Sequence, residues 1–428
     1  MGYLLEDYTL FYSNLPIEIK EALAYAEEVL ERQNRQLQEV AEKNHQKVLK
    51  AFQNARVSTY HLNGTTGYGL GDSGRNKLDE IVASIMGTEK AIIRHQFVSG
   101  THAIASALFG ILRPGDHFIS VSGMPYDTLQ QVIGLKHNIS GSLADFGVSC
   151  DILPLDSQNN IQVQYLDKMV TSNTRLFILQ RSKGYEWRNS LSIAQIREFV
   201  DYAKKKYPEI NIFVDNCYGE LVEEKEPGDI GADLMAGSLI KNLGGTLAPT
   251  GGYIAGRTDL VEKAASRFTA PGINMEVGAT LDHLRLLYQG LFLSPLTVGE
   301  ALKAAVFSSA FWQKLGFEVH PGPEDYRTDI IQAIKLKSKK KMVAFCQGLQ
   351  LGSPIDSHVT PLPSEMPGYT DEVIMAGGTF IQGATSEFSA DGPLREPYAV
   401  YMQGAISYYY VKSANVSAAL SLKQNNLL

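Results

Sequence analysis

Apolar residues first recur at helical spacing near the N-terminus. Between residues 16 and 54, Ile19, Leu23, Ala26, Leu30, Leu37, Val40 and Val48 stand out from a background of charges and Gln. This spacing predicts one or two long amphipathic helices, packed on the main body or on a second subunit. From Lys77 onward the pattern alternates. Residues 78–86, 102–112, 127–135 and 193–206 read as helices. Residues 91–98, 117–121, 176–180 and 212–215 read as strands rich in Ile, Val and Phe. Short apolar runs between helices predict a mostly parallel sheet covered on both faces, an α/β fold. Ligands bind such sheets at the carboxyl ends of the strands, where Ser99, Gln180 and Asp215 fall. After residue 255 the alternation weakens, and a long helix is predicted over residues 298–315, bounded by Gly316. The expected organisation is an N-terminal helical arm over residues 1–60, a large domain over 61–297 and a smaller C-terminal α/β domain over 298–428.

Composition narrows the function classes. A chain of 428 residues is too long for one ordinary core. Its 44% hydrophobic and 20% charged residues suit a globular protein. A net charge of −7 without a long basic block argues against a nucleic-acid partner. Cys150, Cys217 and Cys346 lie far apart and fit neither a disulfide framework nor a zinc site, which points to a reducing compartment. The start of the chain carries Glu6, Asp7 and Glu18 and does not read as a signal peptide. No run approaches the roughly 20 apolar residues of a membrane span. The expectation is a cytoplasmic protein without a membrane partner. The nine histidines form no metal-binding spacing, so no catalytic metal is expected.

The chemistry is concentrated in two short segments. Asp215 closes the apolar run Ile212-Phe213-Val214, and Lys241 ends Ser238-Leu239-Ile240-Lys241. An acid and a lysine at the ends of buried strands are what holds pyridoxal phosphate. The amine forms a Schiff base with the aldehyde, the carboxylate pairs with the protonated ring nitrogen, and the Ser238 hydroxyl donates to the phosphate. Apolar neighbours predict a desolvated lysine of lowered pKa. Once displaced by substrate, that amine is placed to take the α-proton. Ser99-Gly100-Thr101 opens a helix after a strand, where backbone amides and the helix N-terminus favour a phosphate; the bland reading is an ordinary cap. Tyr126, one of 21 tyrosines, follows the next strand and could stack on the cofactor or relay a proton. Gly69-Leu70-Gly71-Asp72-Ser73-Gly74 matches a dinucleotide fingerprint formally, but no strand precedes it. Tyr68 and Arg75 in that loop could instead reach a phosphate across a subunit boundary, against the alternative of a flexible surface loop. His102 reads as structural.

Taken in order, these residues resemble the fold-type I pyridoxal-phosphate enzymes, and within them the cystathionine/methionine γ-lyase branch. The chain is most similar to a bacterial methionine γ-lyase-like group described as aluminium-resistance proteins. Val214-Asp215-Asn216-Cys217-Tyr218 is similar to the branch's Asp-Asn-Thr segment, and Ser238-Leu239-Ile240-Lys241 to its Ser-x-Thr-Lys. The resemblance implies a phosphate loop at Ser99, Gly100 and Thr101, and a ring-stacking Tyr126. It also implies a Tyr68 and Arg75 lent by a neighbouring subunit of a homodimer or homotetramer. Ile240 and Cys217 replace threonines of the branch, and its C-terminal arginine motif is absent in the usual form. Arg395 is the candidate for the substrate carboxylate, because a guanidinium binds a carboxylate in bidentate fashion; Arg181 and Arg188 remain open. The implied activity is a carbon–sulfur lyase that eliminates a thiol from the β- or γ-carbon of an amino acid, with Lys241 and Tyr126 catalytic. Alternatives are another pyridoxal-phosphate reaction, such as that of an aminotransferase, racemase or aldolase, or a catalytically quiet cofactor-binding stress-response protein.

Overall fold

The computed structural model describes residues 14–135 and 139–428. Glu6 and Asp7 of the acidic start lie outside the described residues. The N-terminal pattern is realised as one 38-residue helix, α1 (Ile17–Asn54). Its apolar stripe, including Ile19, Leu23, Ala26 and Val48, is buried. Asn44 on the same helix donates to the carbonyls of Leu221 and Glu223 at 2.7 and 3.2 Å, which ties the arm to the body.

The main sheet has seven strands among the described residues: β1 (Lys90–Arg94), β2 (His117–Ser120), β3 (Ser149–Ile152), β4 (Thr174–Gln180), β5 (Asn211–Asp215), β6 (Leu234–Ser238) and β7 (Gly252–Gly256). Their order is β1-β7-β6-β5-β4-β2-β3. The pairs from β6 through β5, β4 and β2 to β3 are parallel, whereas β7 runs antiparallel to both its neighbours. Strands β5 and β7 are buried at nearly every position, as expected of strands covered on both faces. The helices α2 (Ser73–Met86), α3 (Gly100–Ile111), α4 (Asp127–Ile133), α5 (Ile193–Lys206) and α6 (Thr258–Phe268) connect and cover them. Because β4, β5 and β6 are parallel, Gln180, Asp215 and Ser238 end at the same edge.

A second sheet of five strands follows: β8 (Glu318–His320), β9 (Ile331–Lys335), β10 (Val373–Ala376), β11 (Ser389–Pro393) and β12 (Ala399–Gln403), ordered β10-β11-β12-β9-β8 and antiparallel throughout. Helix α8 (Lys339–Leu351) packs on β10 and β11, and α9 (Tyr408–Gln424) packs against α8. The long helix predicted from residue 298 is α7 (Leu284–Lys314), which begins 14 residues earlier and contains Pro295. It is long and apolar enough to cross a membrane, a property the sequence reading did not register, yet 72% of its most apolar window is buried inside the molecule. Here it serves as a core helix.

Candidate active site

The parallel strand ends and the N-terminus of α3 converge on a cavity of about 250 Å³. Ser99, Gly100, Thr101, Tyr126, Asp215, Ser238 and Lys241 all line it. Tyr68, Arg75 and Arg395 do not.

The helix end is built for close approach. Ser99 caps α3 by accepting the His102 amide at 3.1 Å, and the first amides, at Gly100 and Thr101, have no acceptor within the helix. A Cβ at Gly100 would lie 2.9 Å from the Ser238 Cβ and 3.5 Å from Cys217 Sγ, so the absence of a side chain lets helix and strand meet. Ser238 is buried, and its Oγ has no hydrogen-bond partner within the protein. An orphaned buried hydroxyl beside unbonded amides fits an anionic group such as a phosphate. His102 is structural here, accepting the Val98 amide at its Nδ1 at 3.2 Å.

Asp215 is buried, and its Oδ1 accepts the Cys217 amide at 3.1 Å. Burial pushes its carboxyl above the ordinary range, while Lys241 and the Cys217 amide oppose that. Lys241 Nζ lies 4.2 Å from the centroid of the Tyr218 ring. The lowered lysine pKa expected from sequence is not what the site produces. Burial does work downward, but Cys217, Tyr218, Tyr126 and Asp215 around the amine outweigh it and hold the ammonium above its ordinary value. Those neighbours come from other segments and are invisible in the Leu239-Ile240 context. The Tyr126 amide donates to Gln180 Oε1 at 2.9 Å, and its hydroxyl shares a hydrogen bond with Thr101 Oγ1 at 3.2 Å. Burial raises this phenol well above its usual range, so it stays protonated.

The arginines are engaged elsewhere. Arg75 is only 1% exposed and donates to the carbonyls of Gly69, Gly278 and Glu276 at 2.8, 3.1 and 3.3 Å. Within this chain it braces the glycine-rich loop rather than offering free donors to a phosphate. Tyr68 is 79% exposed on the same loop. Arg395 pairs with Asp127 at 3.2 Å and Asp371 at 2.9 Å. Arg181 is fully buried against Glu223 and Glu226, and Arg188 bonds Glu186 and the carbonyls of Asn189 and Ser182. Among the described residues, no arginine lines the cavity. Sequence reading missed the wall that supplies Tyr185, Tyr218, Tyr369, Tyr401 and Gln403. For Tyr218 a signal existed, since it follows Asp215 by three residues.

A lysine, a buried carboxylate and an anion cradle around one cavity at the strand ends define a fold-type I pyridoxal-phosphate enzyme. The chain matches the sequence profile of the methionine gamma-lyase family over residues 19–423. It belongs to that family of pyridoxal-phosphate-dependent carbon–sulfur lyases. An uncharacterised Bacillus subtilis protein, YnbB, is 47% identical over 396 residues, covering 92% of this chain and 94% of the relative. A carbon-sulfur lyase involved in aluminium resistance from Clostridium novyi superposes with a TM-score of 0.92 at 44% identity, over 98% of this chain and 99% of that one. A Clostridium acetobutylicum protein, provisionally named a cystathionine β-lyase involved in aluminium resistance, gives 0.93 at 44% identity, over 99% of this chain and all of that one. At 15% identity and a TM-score of 0.58, over 82% of this chain and 85% of that one, a Campylobacter jejuni chain solved with N′-pyridoxyl-lysine-5′-monophosphate shares the fold.

Proposed function

We propose that this enzyme releases a thiol from a sulfur-containing amino acid by β- or γ-elimination. The observation that carries the reading is that Lys241 and Asp215 face one cavity beside an anion cradle whose buried Ser238 hydroxyl has no partner in the protein. When bound there, pyridoxal phosphate supplies a sink for charge that develops at the substrate's α-carbon. Ser99, Gly100, Thr101 and Ser238 would hold its phosphate, and Asp215 would hold a proton at its ring nitrogen. Tyr126 would lie against the ring. Lys241 would hold the cofactor through its amine, and that amine, once free, would take the α-proton. Tyr126 is one donor within the cavity for the departing sulfur.

Asp127, the partner of Arg395, lines the cavity. A substrate carboxylate that exchanges with Asp127 therefore meets the Arg395 guanidinium, which supports Arg395 as the clamp. Tyr60, Tyr68 and Leu70 are exposed at 70, 79 and 69%, which supports a second copy covering this loop in a homodimer or homotetramer with Tyr68 and Arg75 at the shared boundary. Three free cysteines favour a reducing, cytoplasmic setting. The arm, large domain and small domain divide at residues 60 and 297, the second division lying inside α7.

The test is a panel of sulfur amino acids, read for thiol and 2-oxo acid. Release of both supports the lyase. Amino-group transfer without thiol release favours a transaminase, and a bound cofactor without turnover favours a quiet binding protein.

A further inference from the structure

One surface loop supplies a side chain to the cavity and has no part in the chemistry above. It runs from Ser364 to Val373, between α8 and β10, and its two ends are tied together. Each end's amide donates to the other's carbonyl, at 3.0 and 2.9 Å. A short loop with joined ends is a compact unit that moves or holds as one piece. Just before it, Gln347 of α8 donates to the Pro361 carbonyl at 3.3 Å. Glu365, Pro367, Thr370 and Glu372 of the loop are exposed, whereas Tyr369 lines the cavity.

Three contacts seat this loop over α4. Gly368, at φ +89°, lies so close to the helix that a Cβ there would stand 2.6 Å from Thr128 Cγ2. The Tyr369 ring packs against the Tyr185 ring at 5.9 Å. Asp371 accepts Arg395 Nη1 at 2.9 Å, and the two terminal nitrogens of the same guanidinium reach the two oxygens of Asp127, each at 3.2 Å. Arg395 therefore latches the loop to the first residue of α4. Asp127 and Thr128 line the cavity, and Asp371 and Arg395 stand behind its wall.

The room behind this loop is small. The cavity, about 250 Å³, falls below the roughly 300–1,000 Å³ of sites that take a drug-sized ligand, and the cofactor must use part of it. Tyr185 and Tyr401 continue the wall beside Tyr369, with ring centroids 5.3 Å apart, and Ile331 packs in the same cluster. That stretch of wall carries no charged side chain. A substituent that meets it is sorted by bulk rather than by charge.

We propose that the loop over residues 364–373, latched by Arg395, limits the size of the group carried on the substrate's sulfur, and that Tyr369 sets the limit. This rests on the lyase reading and narrows it to thioether amino acids with a short, uncharged sulfur substituent. Tyr369 is the specificity-determining residue. Asp371 is a positioning residue that acts through it by holding the loop down.

A chain-length series tests this. Wild-type holoenzyme, Tyr369→Ala, Tyr369→Trp and Asp371→Ala are compared on thioethers of one amino acid that run from S-methyl to S-butyl, with kcat/KM read for each. For wild type, kcat/KM should fall about 10-fold or more at the methylene that overfills the cavity. Tyr369→Ala should move that fall to a longer member, Tyr369→Trp to a shorter one, and Asp371→Ala should flatten it. A fall that stays in place in the variants, or a wild type with no fall at all, overturns the proposal and leaves the lyase reading intact. Thiol release from no member defeats the lyase reading instead. A second readout needs no turnover. In the cofactor-free protein a glutamyl-specific protease meets Glu365 on the loop. Asp371→Ala should be cut there several-fold faster than wild type, because an unlatched loop opens more often; equal rates contradict the latch.

Discussion

Replacing Arg181 with Met separates a structural brace from a substrate clamp. Arg181 is completely buried. It donates to Asn216 Oδ1 and Glu223 Oε2, each at 2.8 Å, with Glu226 at 3.7 Å. A Met side chain keeps much of the stem's packing and removes the charge. Breaking a buried ion pair from one side costs about 3–5 kcal/mol, because the partner is left buried and uncompensated. The carboxylates are not stripped bare, however. Glu226 still accepts from Asn216 at 3.0 Å and the Leu221 amide at 2.8 Å, and Glu223 from the Ile193 amide at 2.9 Å. The expected loss is therefore at the lower end, about 3 kcal/mol. That is a large share of the roughly 5–15 kcal/mol that stabilises a folded chain. Urea unfolding of the cofactor-free protein measures it, and KM for the thioether substrate is read on the folded variant. The brace predicts a large stability loss with KM changed little. A loss under about 1 kcal/mol together with a steep rise in KM would refute the assignment and make Arg181 the clamp.

Other substitutions probe the remaining parts. Arg395→Lys should raise KM with little change in kcat, since a lysine cannot reproduce bidentate binding; an unchanged KM would remove Arg395 from substrate recognition. Gly100→Ala forces a Cβ to 2.9 Å from Ser238 and should cost about 1–3 kcal/mol while weakening cofactor binding, measured by absorbance titration. Lys183 is held by burial down to about 8, from an ordinary 10.5. In that window the unfolded chain binds more protons, so stability should rise with pH between the two values. Lys183→Met should flatten that rise in a pH series of unfolding midpoints.

How much was legible follows from where each signal lies. Strands such as β5 were readable because burial on both faces makes an unbroken apolar run, Ile212 to Val214. Strand β3 was not, because its residues alternate between exposed and half-buried at the sheet edge. The first part of α7 was missed because Pro295 removes the amide that should bond the Leu291 carbonyl and so reads as a break. The Ser294 hydroxyl takes over that carbonyl at 2.7 Å, a substitution only the folded helix reveals. Lys241 and Asp215 announced themselves because each sits in a local motif at a strand end. Tyr185 and Tyr369 did not, since they come from distant segments that only the tertiary fold assembles. Arg75 and Arg395 looked like free ligands because their acceptors, the Gly69, Gly278 and Glu276 carbonyls and the Asp127 and Asp371 carboxylates, are mostly remote in sequence.

The central claim is that the amine of Lys241 carries pyridoxal phosphate. Borohydride reduction of the protein purified with its cofactor, followed by proteolysis and mass spectrometry, locates the fixed pyridoxyl group. The account predicts it on Lys241, with no label at any lysine in Lys241→Ala. A pyridoxyl group on another lysine of the wild type, or none at all, would contradict it.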